Sequence, residues 1–275
     1  MDPGSALRFA RDDGAFTSQR LSGLTLQSLR APALALLGLV AFLLLWEAMP
    51  YFGLVNPAFL PGPSALPKAF MRELSSGAWF AAILGSLWHY FVGLFVGAGL
   101  GIAFGVAVGM SRVAEEATAW VVRVLRPIPG LAWVPFAIIW FGVTPGAAVF
   151  IIAIGVFWIV FFAAQGAIRG VDRDLIEVAD AFGFRSPWAR LFKILLPAAL
   201  PGILVGIRTA LGQAWMAVVA AEIFGVAGVG QRMMQASSLL ATDIVVVYML
   251  TMAALYGLLD TGFVAFQKWV LRWKA

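Results

Sequence analysis

Residues 169–201 read RGVDRDLIEVADAFGFRSPWARLFKILLPAALP. This is the longest charged, amphipathic stretch after the N-terminal tail, and it stands between two long apolar runs, Ala147–Ile168 and Gly202–Phe224. Asp172 and Asp174 lie where carboxylates favour a helix N-terminus. Ile176, Ala179, Phe182 and Gly183 fall on one apolar stripe at helical spacing. Gly183 is placed to end this first short helix, and Pro187 to start a second. Two short helices set between membrane-length runs make a surface that a partner can grip. A plain connection would be shorter and less patterned.

The composition around this loop fixes the class of protein. Of 275 residues, 62% are hydrophobic and 12% charged, and the mean hydropathy is +0.92. Soluble domains carry about 45–50% apolar and about 25% charged residues, so a cytosolic globular domain is excluded. Disordered and fibrous chains, which are polar or of low complexity, are excluded too. The absence of Cys removes disulfides and thiolate-bound metals, and a single histidine, His89, removes sites needing two imidazoles from one chain. The expected fold is an all-α polytopic membrane protein with six transmembrane helices. About 20 apolar residues span the hydrocarbon core as a helix. The runs are Pro32–Met49, Leu84–Met110, Trp120–Phe141, Ala147–Ile168, Gly202–Phe224 and Ile244–Phe266. Their length and lack of two-residue alternation argue against a β-barrel. The segment SALPKAFMRELSSG, residues 64–77, reads as a short interfacial helix. Residues 1–30 form a polar tail, and residues 31–275 form one transmembrane domain with its charged loop at about 169–200. The first run reads as an uncleaved anchor, because PYFGLVNPAFLPGP after Met49 is a poor signal-cleavage context.

Charge placement orients the runs. Lys and Arg concentrate in cytoplasmic segments. With both termini in the cytoplasm, the inner side holds Arg8, Arg11, Arg20, Arg30, Arg112, Arg123, Arg126, Arg169, Arg173, Arg185, Arg190, Lys193, Lys268, Arg272 and Lys274. The outer side holds only Lys68, Arg72 and Arg232. The net charge of +5 then matches an inner leaflet of anionic lipid and calls for no nucleic acid.

Inside the runs, Gly93, Gly97, Gly101, Gly105 and Gly109 recur every four residues on one helix face. Small residues at that spacing let two backbones approach closely in lipid. In LRPIPGLAWVPFAIIWFG, residues 125–142, Pro127, Pro129 and Pro135 each remove a backbone donor and clash with the preceding turn. Broken helix at membrane depth is tolerated where protein or a watery cavity satisfies the freed groups, and such breaks often mark solute paths, the alternative being a kinked packing helix. Trp133, Trp140 and Phe141 are candidate gate side chains there. Arg208, Glu222, Asp243 and Asp260 lie within or at the edges of runs. Intramembrane charges pair and face the bundle interior. Arg208 is seven residues past Pro201 and Asp260 eight before Lys268, so both lie about 10–12 Å from the same face. A structural Arg208–Asp260 ion pair is expected. Glu222 and Asp243 lie near the outer face. His89, beside Trp88 and Tyr90, reads as an interfacial hydrogen-bonding residue. No GxxxxGK[ST], HExxH or GxSxG is present, which speaks against bound ATP phosphates and against an intramembrane enzyme.

The loop also resembles a known family. Glu177-Val178-Ala179, three residues, Gly183, ten residues and Ile194-Leu195-Leu196-Pro197 are similar to the EAA loop of bacterial ABC-importer permeases, in which nine residues follow the glycine and Ala follows the Glu. The stretches LRPIPGLAWVPFAIIWFG and LGQAWMAVVAAEIFG (211–225), with Thr242-Asp243 and Gly257-Leu258-Leu259-Asp260, resemble the nitrate/sulfonate/taurine branch. The resemblance covers about residues 55–270. It implies a type I ABC-importer permease fold in the bacterial inner membrane. It also implies a second permease copy, two cytoplasmic ATPase subunits that bind ATP and Mg, and a periplasmic or lipid-anchored binding protein that delivers a small anion such as nitrate, taurine or a sulfonate. This chain itself would hold no cofactor. Glu177, Ala179, Gly183 and Pro197 would couple to the ATPase. Pro129, Trp133, Pro135, Trp215 and Glu222 are the candidate translocation path. A stand-alone ion-coupled carrier or channel is the competing reading, with Asp260 as its one deep carboxylate.

Overall fold

The computed structural model describes residues 33–184 and 186–274. The expected N-terminal tail, residues 1–30, lies outside them, as does Arg185. The chain divides into two compact units, one ending at Pro67 and the other beginning at Lys68. In the first, α1 (Ala33–Tyr51) is apolar and long enough to cross a bilayer. The chain after it folds back: the Trp46 indole donates to the Pro61 carbonyl at 3.0 Å, and Glu47 accepts from the Ser64 amide and hydroxyl at 2.9 and 2.7 Å. The segment read as interfacial forms α2 (Leu66–Ser75).

The second unit is helical throughout. It contains α3 (Ala78–Met110), α4 (Arg112–Leu125), α5 (Val134–Phe141), α6 (Pro145–Arg169), α7 (Arg173–Ala181), α8 (Pro187–Arg190), α9 (Leu196–Ile223), α10 (Val229–Ser238) and α11 (Thr242–Val270). With α1, five helices or helix runs are long and apolar enough to span, and a bent pair makes a sixth. The described residues contain no strand.

The glycine repeat fixes the centre of the bundle. A β-carbon on Gly97 would lie 2.5 Å from the Ala153 carbonyl oxygen, one on Gly101 2.9 Å from that of Phe157, and one on Gly109 3.1 Å from the Ile168 side chain. Four residues along α3 therefore match four along α6, and the two run parallel in backbone contact. The same device joins α9 antiparallel to α6, where a β-carbon on Gly202 would meet Ala167 at 2.9 Å. Lipid gives little hydrophobic drive between helices, so close backbone packing of this kind holds them together.

The third expected span, Trp120–Phe141, is broken among its prolines: it falls on two helical pieces, Arg112–Leu125 and Gly130–Phe141, bent by 86°. The Ser111 hydroxyl accepts from the Ala114 amide at 3.2 Å, capping α4 directly after α3. Pro127 and Pro129 lie in the bend, where they lack the donor a continuing helix needs. Pro135 does not break anything. It sits in the first turn of α5, where no donor is required. The second span starts at Ala78, earlier than expected. The fifth runs from Leu196 straight through Pro201, so Pro201 is not a boundary.

Candidate functional site

Three groups of residues carry chemistry in the second unit. The first is the loop end of the bundle. Asp172 caps α7 by accepting from the Asp174 amide at 3.1 Å. Gly183 ends it in the left-handed region at φ +87°, and the Phe184 amide reaches back to the Ala179 carbonyl at 2.9 Å. Pro187 opens α8 as expected. Asp180 and Arg190 pair at 2.5 Å and tie the two short helices together. Ala179 is buried, and with Ile176, Gly109 and Ile194 it lines a cavity of about 410 Å³. Phe182 does not join that inward stripe. It is 78% exposed, and Leu175 and Val178, at i−7 and i−4 from it, are exposed beside it. Helical spacing thus gives α7 two apolar faces: Ile176 and Ala179 pack inward, while Leu175, Val178 and Phe182 point outward. Glu177 and Pro197 are exposed as well. The stretch from Gly183 to Ile194, one residue longer than the resembled pattern, runs into a wide π-helical turn, Leu191–Leu195, in which the Leu196 amide bonds five residues back to Leu191. Such a turn takes in more residues than an α-turn and often accompanies a functional site.

The second group lies at the opposite end and was only partly foreseen. Glu222, expected near the outer face, is fully buried. Its Oε2 accepts from the Ser86 hydroxyl at 2.8 Å and the Gly230 amide at 2.9 Å, and its Oε1 shares a hydrogen bond with His89 Nδ1 at 3.0 Å. The Ser86 hydroxyl in turn accepts from the Val229 amide at 2.9 Å. The first two amides of α10 are thereby fastened to α3 and α9. Gly228 and Gly230 make room, since a β-carbon on either would strike Glu222. Trp215 is buried: its indole donates to the Met252 carbonyl at 3.2 Å, and its ring meets Tyr90 edge-on. Pro129 and Pro135 are exposed, and Trp133 is half-buried with an indole N–H that has no partner among the described residues.

Glu73 on α2 is buried and takes both forks of Arg232 on α10, at 2.9 and 2.8 Å, plus the Tyr248 hydroxyl at 2.8 Å. The Arg232 hydrogen bonds hold the Glu73 carboxyl below the usual carboxylate range against its burial. Arg72 and Asp243 pair alongside at 2.7 Å. Sequence reading missed Ser86, Glu73 and Tyr248. The available signal was a set of polar groups in apolar surroundings that had to find partners.

Replacing Glu222 by Ala leaves a hydroxyl, an amide and an imidazole unpaired in the interior. The expected loss is about 2–4 kcal/mol, since each buried polar group left unsatisfied costs about 1–3 kcal/mol and some relax. Glu222→Gln should lose less. Thermal unfolding of the purified variants in detergent measures both, and an unchanged midpoint for the alanine variant would count against the network.

The third group is in the middle of the bundle. Arg208 Nε and Nη2 donate to Asp260 Oδ1 and Oδ2 at 3.0 and 2.9 Å, a two-pronged pair between α9 and α11. It does not face the interior as expected: the side chains are 48% and 27% exposed.

A polytopic bundle with a bent span, a two-helix loop at one end and an open polar face midway is the architecture of a transport permease. Residues 97–274 match the family described as binding-protein-dependent transport system inner membrane component. The chain is 35% identical over 244 residues to the putative aliphatic sulfonates transport permease protein SsuC of Escherichia coli (strain K12), covering 88% of this chain and 91% of that one. It is 30% identical to the taurine transport system permease protein TauC of the same strain, with 86% and 87% covered. It is 31% identical to the bicarbonate transport system permease protein CmpB of Synechocystis sp. (strain ATCC 27184 / PCC 6803 / Kazusa), with 84% and 86% covered. Among solved structures, one described as inward facing conformations of the MetNI methionine ABC transporter superposes with a TM-score of 0.62 at 23% identity, covering 73% of this chain and 97% of that one. The chain belongs to the binding-protein-dependent transport system inner membrane component family, with the type I ABC-importer permease fold. It is the membrane-spanning permease subunit of an ABC importer.

Proposed function

We propose that two copies of this chain line a passage for a small oxyanion solute, opened and closed by two ATPase subunits that grip the loop end of the bundle. The loop end and both termini face the cytoplasm, in keeping with the basic residues gathered there. A binding protein delivers solute at the opposite end. ATP and Mg sit in the ATPases, because this sequence has no phosphate-cradling motif. The remaining surface contacts membrane lipid, and nucleic acid plays no part. The solute class draws support from relatives named for aliphatic sulfonates, taurine and bicarbonate.

One observation carries the reading: the apolar face of Leu175, Val178 and Phe182 on α7, exposed on a charged loop outside the membrane-length helices. An apolar anchor rimmed by charge, here Glu177, Asp174 and Arg173, is the anatomy of a docking site. A rigid helix seated in an ATPase cleft transmits the closure of the two ATPases as a push on α6 and α9. Alternating access follows without covalent chemistry in this chain.

Gly183 tests the rigidity of that lever. A side chain there meets no atom within 4 Å, but φ is +87°, so any cost comes from backbone conformation. A β-branched residue in the left-handed region costs roughly 1–2 kcal/mol. Gly183→Val should lower ATP-driven uptake in reconstituted vesicles several-fold while ATPase activity persists. Gly183→Asn, which tolerates that conformation, should stay near normal. Equal uptake by all three proteins would contradict the lever.

A further inference from the structure

Arg208 is twelve residues from the start of α9 and Asp260 ten from the end of α11. At 1.5 Å per residue, these are about 18 and 15 Å from the loop end, well inside helices that cross the membrane. The pair is nonetheless open. Around it α9 exposes the polar Arg208, Thr209 and Gln213, with Val205 and Met216 above and below them, along one broad side of the helix. Gln213 has no hydrogen-bond partner among the described residues. The Tyr256 hydroxyl, one turn before Asp260, lies over Gly212, where an added β-carbon would meet it at 3.0 Å. A half-exposed ion pair and an unpaired amide at this depth cannot face hydrocarbon without large cost. They must face water or a partner copy.

The chemistry of the face is specific. A guanidinium has five N–H donors in one plane. Asp260 takes one from Nε and one from Nη2, leaving three directed away from the carboxylate. A planar fork of donors held at a fixed angle suits a sulfonate or carboxylate. Asp260 positions the fork and neutralises it, so that an anion is contacted but not trapped.

We propose that Arg208, held by Asp260, is the anion-contacting residue of the passage, in a water-filled constriction that the same stripe of a second copy completes. This rests on the proposed two-copy passage for an oxyanion. It adds the residue that contacts the anion, and it makes a pair read from sequence mainly as structural part of solute selection.

The chain has no native cysteine, which gives a clean test. Thr209→Cys and Gln213→Cys report on the face. Leu258→Cys, 70% exposed at the same depth on the far side of α11 from Asp260, serves as the lipid-facing control. Full-length protein in membrane vesicles is treated with two water-soluble methanethiosulfonates of similar size, one bearing a sulfonate and one a trimethylammonium group. Both stripe cysteines should react at least about tenfold faster than the control. Because Asp260 engages two of the five guanidinium N–H donors and leaves three for the passage, the sulfonate reagent should gain severalfold over the cationic one, relative to the same ratio at the control. Pairing either reporter with Arg208→Gln and Asp260→Asn removes both charges together and keeps the net charge. The anion preference should then vanish while reaction with the cationic reagent persists.

Two results overturn the proposal: stripe cysteines no more reactive than the control, or an anion preference that survives the double substitution. Elution of each variant at the wild-type position in size-exclusion chromatography separates these from misfolding. No ATPase is needed for the labelling, so a failure of loop docking would leave the labelling pattern intact, and a failure here would leave docking untouched.

Discussion

Replacing Gly101 with leucine should remove most of the folded protein. A β-carbon there already lies 2.9 Å from the Phe157 carbonyl oxygen and 3.1 Å from the Phe161 amide nitrogen. Both are backbone atoms of α6, and neither can rotate away. Three further carbons force α3 and α6 apart along the contact on which the bundle is built. Overpacking in cores costs about 1–3 kcal/mol even where side chains can move. Against a rigid backbone the loss should reach at least about 3 kcal/mol, a large share of a typical stability of about 5–15 kcal/mol. Gly99→Leu is the built-in control, because two residues away nothing lies within 4 Å of an added β-carbon. The yield of monodisperse protein by size-exclusion chromatography should collapse for Gly101→Leu and hold for Gly99→Leu. Equal yields would mean that the glycine face is loosely packed.

The paired substitution Val178→Asp with Phe182→Asp should abolish ATP-driven uptake and leave the bundle intact. Both side chains are exposed in the isolated chain, Val178 by 54% and Phe182 by 78%, so the substitutions remove little packing within it. In a docked complex each would bury a carboxylate in an apolar cleft. Central interface anchors cost about 2 kcal/mol or more each when lost, and 2 kcal/mol is about 30-fold in affinity. Co-purification of the ATPase should therefore fall at least about 30-fold, while the thermal midpoint of the permease alone stays within a degree or two. Retained co-purification and uptake would place the docking surface elsewhere.

Much of this was readable before any coordinates. The five glycines spaced by four reported a helix contact because only a backbone approach explains such a repeat. The Gly183 stop and Pro187 start set the two short loop helices, because each residue has a backbone preference that acts locally. Arg208 and Asp260 could be paired from depth alone. Where reading stopped short, the deciding contacts were tertiary. Nothing local distinguishes Pro135 from Pro127, yet one opens a helix and the other sits in a bend. Phe182 fits by spacing both a stripe with Ala179, at i−3, and one with Val178 and Leu175, at i−4 and i−7, and only the packing of α7 decides for the second. Glu222 looked wet because it is near the end of a span. Its burial depends on Ser86 and His89, more than 130 positions away, and on two glycines that let α10 close over it. The openness of the Arg208–Asp260 pair also has no sequence signature, since pairing and burial are separate questions.

The central claim is that α7 is the point at which an external motor acts. The most direct measurement places a single cysteine at Phe182 of this cysteine-free chain and a second, separate one at Phe80, an exposed position near the opposite end of α3. Each variant is assembled into the complete transporter in membrane vesicles, treated with a short thiol-reactive photocrosslinker, and the adducts are identified by mass. Phe182→Cys should yield an adduct with the ATPase, and Phe80→Cys should not. An ATPase adduct at position 80 without one at position 182 would contradict the claim.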